Sequence, residues 1–341
     1  MEIINLSQLI YWAPLRRYYF SQYIKPTFRS KKYTQKYLNM LKEAIKKMRA
    51  NKRKRSSNSS LPQPKKCKQP PVLESNWKVP RKVYTSSKIL HEFFADIGLM
   101  IKSANGILFK ATEKSTGRPV CLKQIEKTKV KNFRTVENNK VPAEIYYHYR
   151  AFEASPKYVI EPIYWLEFST YYIIIMDRPV DFEDLFEVTR RGPLDERTAL
   201  ILLTQAVRVA QDLHKAGICH RDIKDENLLV NVKTLKVKLI DFGSSTDVKQ
   251  EYTVTKGTPE YWPPEYYLEN HLRPEELTIW SLGAVFYIML TSEWNFTAPA
   301  YTPNPDKMAN ISMTSRQLLR AMLCANPSQR CQFKQLELRN C

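Results

Sequence analysis

The 341-residue chain is 43% apolar, enough to bury one large core or two modest ones, and this excludes disorder throughout. Its formal charge of +20 is unevenly placed: residues 1–82 hold 21 Lys or Arg against 3 acids, and the remainder hold 33 against 31. A near-neutral body therefore carries a basic arm, so net charge alone does not make the body a nucleic-acid-binding domain.

The opening MEIINLSQLIYWAPL has an acid rather than a base before its apolar part and no small-residue cleavage site, which makes a poor signal peptide. Further along the arm, Tyr37, Leu38, Leu41, Ile45 and Met48 recur at helical spacing among lysines and predict an amphipathic helix ending near Ala50. The following NKRKRSSNSSLPQPKKCKQPP is too polar to bury surface that would repay its ordering entropy, and reads as a disordered linker. Lys52 to Arg55 and then Lys65, Lys66 and Lys68 form two basic clusters like a bipartite nuclear import signal; a solvated linker, or attachment to nucleic acid or anionic lipid, are the alternatives. The arm's tyrosines come with no RNA-binding motif, and nucleic acid is not read as a partner.

From about His91 the pattern changes to strands. GILFKA and PVCLKQI flank Ser115, Thr116 and Gly117 as a hairpin would, a short helix is expected around Ala143 to Phe152, and YVIEPIYWLEF and YYIIIM pair across Ser169 and Thr170. After Pro179 the chain turns helical: Ala199, Leu202, Leu203, Ala206, Val209, Ala210 and Leu213 form one apolar face, and TIWSLGAVFYIML (278–290) is apolar all round, as a buried helix is. Sheet first and helices second predicts an α+β protein of two lobes with a cleft between them: 83–178 the sheet lobe, 179–341 the helical lobe, after the arm 1–82. No run of about 18 apolar residues supports a membrane span. Cys67, Cys121, Cys219, Cys324, Cys331 and Cys341 show no CxxC pair and no metal-ligand spacing with histidine, which predicts free thiols in a reducing compartment, cytoplasmic or nuclear.

ICHRDIKDENLLV (218–230), followed by LIDFG (239–243), resembles the catalytic loop and metal-binding motif of protein kinases, and the pair is highly specific. The resemblance implies transfer of the γ-phosphate of ATP, a reaction that needs positioning and charge neutralisation more than covalent help. It implies that Asp222 orients the acceptor hydroxyl and takes its proton, that Lys224 offsets charge on the transferred phosphate, and that Asn227 and Asp241 are the oxygen ligands for Mg2+. Lys123 in VCLK would hold the ATP phosphates and pair with Glu144 of VPAEIYYHYR. Without the two motifs, such a Lys and Glu would more often be surface charges. Arg330 of NPSQR and Glu265 of PPE resemble the ion pair that anchors the kinase activation segment, and Thr258 stands where a threonine contacts the catalytic aspartate, favouring serine/threonine over tyrosine specificity.

Over roughly residues 91 to 335 the chain resembles the PIM family of serine/threonine kinases. DRPVDFEDLFEVTRRGPL is similar to the PIM hinge and the helix after it, with Pro179 where most kinases offer adenine a backbone N–H. The resemblance implies one hinge bond through the Asp177 carbonyl, Met176 guarding the rear pocket, and Gly106, Leu108 and Cys121 around the nucleotide. It also implies that Asp184, Glu187, Asp225 and Glu226 face basic residues upstream of the phosphorylated hydroxyl; a solvated acidic face is the plainer reading. Thr278 stands before IWSLG where most kinases carry an aspartate, which PIM kinases also lack. The activation segment holds Ser244, Ser245, Thr246, Tyr252, Thr253 and Thr255, any of which could take phosphate and pair with Arg221, although PIM kinases do not require it.

The weakest element is the glycine-rich loop: in IKSANGILFKA only Gly106 remains, Lys102 and Ala104 occupy glycine positions, and the loop is one residue short. A Cβ there blocks close backbone approach to phosphate. Cys121 replaces the usual alanine above adenine and reads as a small apolar residue; His148 replaces an apolar residue beside Phe242 and reads as a packed histidine. The expectation is therefore a monomeric, ATP- and magnesium-dependent kinase acting on proteins with basic residues upstream of Ser or Thr. A pseudokinase scaffold is the alternative, and an adaptor in which the arm dominates is a third reading.

Overall fold

The computed structural model describes residues 83–103, 106–249, 251–252, 256–269, 272–293 and 311–336; the predicted arm helix, the linker and both basic clusters lie outside them. All described residues belong to one compact unit, Lys68–Cys341.

The first lobe is a six-stranded sheet. Its strands are β1 (Val83–Tyr84), β2 (Phe94–Ser103), β3 (Gly106–Glu113), β4 (Pro119–Glu126), β7 (Pro162–Phe168) and β8 (Tyr171–Asp177), and a single turn, α1 (Leu90–Phe93), precedes β2. The spatial order is β1-β7-β8-β4-β3-β2, antiparallel except for β1 beside β7. Both expected hairpins are present, with Lys123 opposite Leu108 on one side and Ile174 on the other. The centre of the sheet is apolar on both faces, which is why YYIIIM shows no polar alternation. Ile174 and Met176 pack with Ile145 and Tyr149 of helix α2 (Ala143–Ala154), while Ile173 and Ile175 pack with Phe94, Leu122 and Phe168 on the opposite face. Burying each such side chain contributes roughly 1.5–3 kcal/mol, so α2 is held to the sheet by packing.

Between β4 and α2 the chain makes a small hairpin that the sequence reading did not anticipate, β5 (Phe133–Val136) and β6 (Asn139–Pro142). Glu137 and Asn138 both have positive φ, the pattern of a two-residue type I′ turn that matches strand twist.

The second lobe is mainly helical: α3 (Leu185–Arg190), α4 (Glu196–Lys215), α5 (Pro264–Glu269), α6 (Pro274–Thr291) and α7 (Met313–Met322). Asp195 caps α4, its Oδ1 accepting from the Thr198 N–H at 3.0 Å. Helix α6 is buried around its whole circumference, as its uniformly apolar sequence requires, and shares one core with the apolar face of α4. Short strands beside the cleft position the chemistry. These are β9 (Glu183–Asp184), β10 (Ile218–Cys219), β11 (Leu228–Asn231), β12 (Lys236–Leu239) and β13 (Thr246–Asp247). Together the two lobes give the α+β, two-lobed architecture that the sequence predicts. Among the described residues no helix is long and apolar enough to cross a membrane, and Cys121, Cys219, Cys324 and Cys331 are free.

Candidate active site

Hairpin geometry brings the site together. Strands β11 and β12 pair with Leu228 opposite Leu239, and the Ile240 N–H donates to the Asn227 carbonyl at 3.0 Å, so the end of the catalytic loop lies against the residue before Asp241. The Asn227 side-chain N–H2 donates to the Asp222 carbonyl at 2.8 Å and to Asp222 Oδ2 at 3.2 Å. Thr258 Oγ1 donates to Asp222 Oδ1 at 2.7 Å. Asp222 is thus oriented from two segments. Gly257 has φ of +110°, and a Cβ there would fall 2.3 Å from the Arg221 carbonyl oxygen, so only glycine lets Thr258 approach so closely.

Lys123 is the electrostatic centre. Its Nζ lies 2.6 Å from Glu144 Oε1 on α2 and 2.8 Å from Asp241 Oδ1, with the lysine side chain only 8% exposed. Burial opposes the charge of Lys123, but Asp241 and Glu144 outweigh it and hold the ammonium well above its ordinary range. Burial also opposes ionisation of Asp241, yet Lys123 and the Gly243 N–H hold its carboxyl well below the usual carboxylate range. Glu144 moves the other way: burial pushes it up, Lys123 pulls it down, and the Asp241 charge adds to the rise. Two carboxylates share one ammonium, and Asp241 keeps its charge more firmly.

Phe242 is clamped between two rings, His148 of α2 stacked at 4.9 Å and His220 edge-on at 5.1 Å. His148 Nε2 bonds the Ile160 carbonyl oxygen at 3.0 Å, and burial lowers its pKa to about 4, so the ring is neutral and packs as an apolar residue would. In the second lobe Arg330 meets Glu265 through two bonds of 2.7 and 2.8 Å, with both side chains nearly or fully buried.

These are the features of one enzyme family, and the comparison with known sequences agrees. The protein kinase domain family matches residues 102–339. The chain belongs to the protein kinase family. Over 243 residues it is 34% identical to the serine/threonine-protein kinase pim-2 of Danio rerio, covering 68% of this chain and 78% of that protein. It is 29% identical over 238 residues to serine/threonine-protein kinase prk-2 of Caenorhabditis elegans, covering 67% of this chain and 53% of that one. It is also 29% identical over 215 residues to serine/threonine-protein kinase 1 of African swine fever virus, covering 60% and 69%. The chain is a protein serine/threonine kinase.

Within this kinase the hinge begins at the end of β8. Met176, 8% exposed, lies opposite Cys121 across the ladder. The Asp177 N–H donates to the Glu161 carbonyl at 2.9 Å and the Arg178 N–H to the Pro119 carbonyl at 3.2 Å, while Pro179 has no N–H. The backbone donors at 177 and 178 are therefore consumed by the protein itself. Burial pushes the Cys121 thiol up to about 11, so it stays neutral and unreactive.

The four acidic positions are not equivalent. Asp184 caps α3, accepting the Glu187 N–H at 2.8 Å; Glu187 pairs with Arg190 at 2.7 Å; Glu226 is exposed and lies 3.5 Å from Lys224 Nζ. Asp225 stands apart: it is fully buried and accepts the Tyr261 hydroxyl at 2.5 Å, so the structure does not present it on the acidic face.

In the glycine-rich loop, Leu108 sits opposite Ile101, a 52% exposed apolar residue the sequence reading passed over because it adjoins Leu99 and Met100 in an unbroken apolar run. Gly106 has φ of +150°, and a Cβ there would lie 2.5 Å from the Gln124 carbonyl oxygen. Its retention follows from packing between β3 and β4. Among the phosphate candidates, Ser245 is buried, Tyr252 is buried, and Thr253 and Thr255 lie outside the described residues.

Proposed function

We propose that this kinase is an active PIM-type enzyme that transfers the γ-phosphate of ATP, with magnesium, to Ser or Thr hydroxyls preceded by basic residues. The observation that carries the reading is the closed constellation in which Lys123 meets both Glu144 and Asp241 while Thr258 and Asn227 orient Asp222. The donor chemistry suits magnesium. Among the described residues no cluster of three His, Cys, Asp or Glu could cage a metal alone, so the ion would rest on Asp241 and the Asn227 amide oxygen with nucleotide phosphates completing the shell. Magnesium, when bound, neutralises charge on the phosphates.

The residues divide the remaining work. Lys123 steadies the α and β phosphates, and Glu144 holds Lys123 in place. Asp222, fixed by two hydrogen bonds, orients the acceptor hydroxyl and accepts its proton. Lys224 offsets charge on the moving phosphoryl group. Adenine is held through the Asp177 carbonyl, beneath Leu108 and Cys121, since the neighbouring donors are spent. Gly106 belongs to the loop over the phosphates. A basic stretch upstream of the acceptor would meet Asp184, Glu187 and Glu226, with Asp225 acting indirectly through Tyr261 and the catalytic loop. The basic clusters between residues 52 and 68 would direct the enzyme to the nucleus, and the enzyme would act as a monomer.

One observation favours a second reading, a pseudokinase scaffold: Gly106 is demanded by the Gln124 contact, which leaves the loop with no glycine retained for phosphate. Transfer of labelled phosphate from ATP with magnesium to an arginine-rich serine peptide decides between them. The intact chain should exceed Asp222→Asn and Lys123→Met by about 10²- to 10⁴-fold, the usual worth of a positioned acid or base. No transfer above these variants, from folded protein, would establish the scaffold.

A further inference from the structure

A three-residue network outside the phosphate-transfer machinery ties α2 to the activation segment. Arg134 of β5 directs Nη2 to Asp247 Oδ2 at 2.7 Å, and its Nε donates to the Tyr147 hydroxyl at 2.9 Å. Tyr147, on α2, donates that hydroxyl to Asp247 Oδ1 at 2.9 Å. The Arg134 guanidinium also lies over the Tyr147 ring, 5.2 Å from its centroid. Each oxygen of the Asp247 carboxylate thus receives a donor from a different element of the first lobe. Tyr147 is 1% exposed, and burial pushes its pKa up to about 12, so its hydroxyl stays protonated and available to donate.

The position of Asp247 gives this network its consequence. It lies on β13, whose partner β10 pairs it with Ile218, two residues before His220 of the catalytic loop. The Val248 N–H donates to the Gly217 carbonyl at 2.8 Å, and the Tyr252 hydroxyl donates to the Asp247 carbonyl at 2.8 Å. Arg221 is turned to the same segment, its Nε donating to the Ser244 carbonyl at 2.7 Å and its guanidinium 5.5 Å from the Tyr252 ring centroid. On α2, Tyr147 lies three residues beyond Glu144, one turn along the helix, so a force that fixes Tyr147 also fixes the carboxylate facing Lys123.

We propose that Asp247 is a positioning residue for phosphoryl transfer: through Tyr147 and Arg134 it holds α2 in the register that keeps Glu144 on Lys123. The Arg134 pair is half-exposed and by itself worth little. Its effect comes from choosing between two placements of a packed helix, where small couplings change populations severalfold. The inference rests on the kinase reading of Lys123 and Glu144, and one arm of its test needs no turnover.

The experiment compares the intact chain with Asp247→Ala, Asp247→Glu and Tyr147→Phe, measuring kcat per folded molecule and amide hydrogen exchange along α2 and α6. Asp247→Ala should lower kcat roughly tenfold, within the usual range of coupling between sites. Exchange should quicken between Ala143 and Ala154 while α6 keeps its protection. Tyr147→Phe, which removes only the hydroxyl, should reproduce both effects. The double variant should lose no more than either alone, and Asp247→Glu should recover part of the loss. Unchanged α2 exchange in Asp247→Ala and Tyr147→Phe would overturn the proposal, whether or not the chain transfers phosphate. So would additive losses in the double variant. Should Asp247→Ala fail to fold, Tyr147→Phe carries the test alone.

Discussion

The catalytic loop and the glycine-rich loop face the same cleft and follow opposite rules. Lys123, Glu144, Asp222 and Asp241 each have a partner at 2.6–2.8 Å drawn from a distant part of the chain. In the glycine-rich loop the surviving glycine answers to its neighbour strand, and Leu99, Met100 and Ile101 are 47–62% exposed. On the proposed function, charge is preorganised where phosphoryl transfer would depend on it, while the glycine-rich loop lacks the glycines that would let backbone approach phosphate. Three perturbations test how far that contrast extends.

The largest effect should come from the anchor beneath the activation segment. Arg330 has no exposed side-chain surface and holds Glu265 through two N–H···O hydrogen bonds while also donating to the carbonyls of Cys324 and Glu276. Arg330→Met would leave the Glu265 carboxylate buried without a counter-charge, which costs about 3–5 kcal/mol. Denaturant unfolding should show that loss. If stability falls by less than about 1 kcal/mol, the well-paired region is not where the fold's ionic stability lies, and the contrast weakens.

A smaller and pH-dependent effect belongs to the ring clamp on Phe242. The folded pKa of His148 is lowered to about 4 from an ordinary value near 6.5, and burial lowers that of His220 as well. Between those two pH values the unfolded chain binds more protons than the folded one, so stability rises with pH. The contribution of His148 is complete above about pH 6.5 and is lost as pH falls toward 4, up to about 3 kcal/mol. Calorimetry of His148→Leu should show a flatter pH dependence in that window, with part of the slope retained by His220. An unchanged slope would mean that the ring is not held neutral against Phe242.

Legibility in the sequence followed where the chemistry was written. HRDIKDEN and DFG name their side chains in short contiguous stretches, and the two hairpins and the buried α6 announced themselves by apolar pattern. Lys123 and Glu144 needed family resemblance, since nothing local to either says that they meet. Three features were hidden for separate reasons. Asp225 is covered by Tyr261, a residue 36 positions later, so an acidic letter beside the catalytic loop could not reveal its burial. The β5–β6 hairpin is four residues a side and partly charged, too short and too polar to show a strand period. Strand β2 carries two register irregularities and an unbroken apolar run, which erase the alternation that would have marked Ile101. At the hinge, Pro179 declared a missing donor, but the use of the 177 and 178 N–H groups by Glu161 and Pro119 depends on the paired strands.

The finest test lies in the glycine-rich loop itself. A Cβ at Gly106 would fall 2.5 Å from the Gln124 carbonyl oxygen, and the φ of +150° is one that side chains rarely adopt. Gly106→Ala must shift either β3 or β4, at a cost of about 1–3 kcal/mol for a strained backbone site. Thermal unfolding without nucleotide should register the whole of it. The register places Leu108 opposite Lys123, so a displaced β3 should also raise the KM for ATP, as a consequence of the structural shift. Lys102→Gly supplies the counterweight: Lys102 is exposed opposite Ile107, and its loss should leave stability within about 0.5 kcal/mol. If Gly106→Ala instead unfolds like the unaltered protein while its KM for ATP rises, the glycine is kept for phosphate after all. The two loops would then obey the same rule, and the missing glycines would count directly against catalytic power.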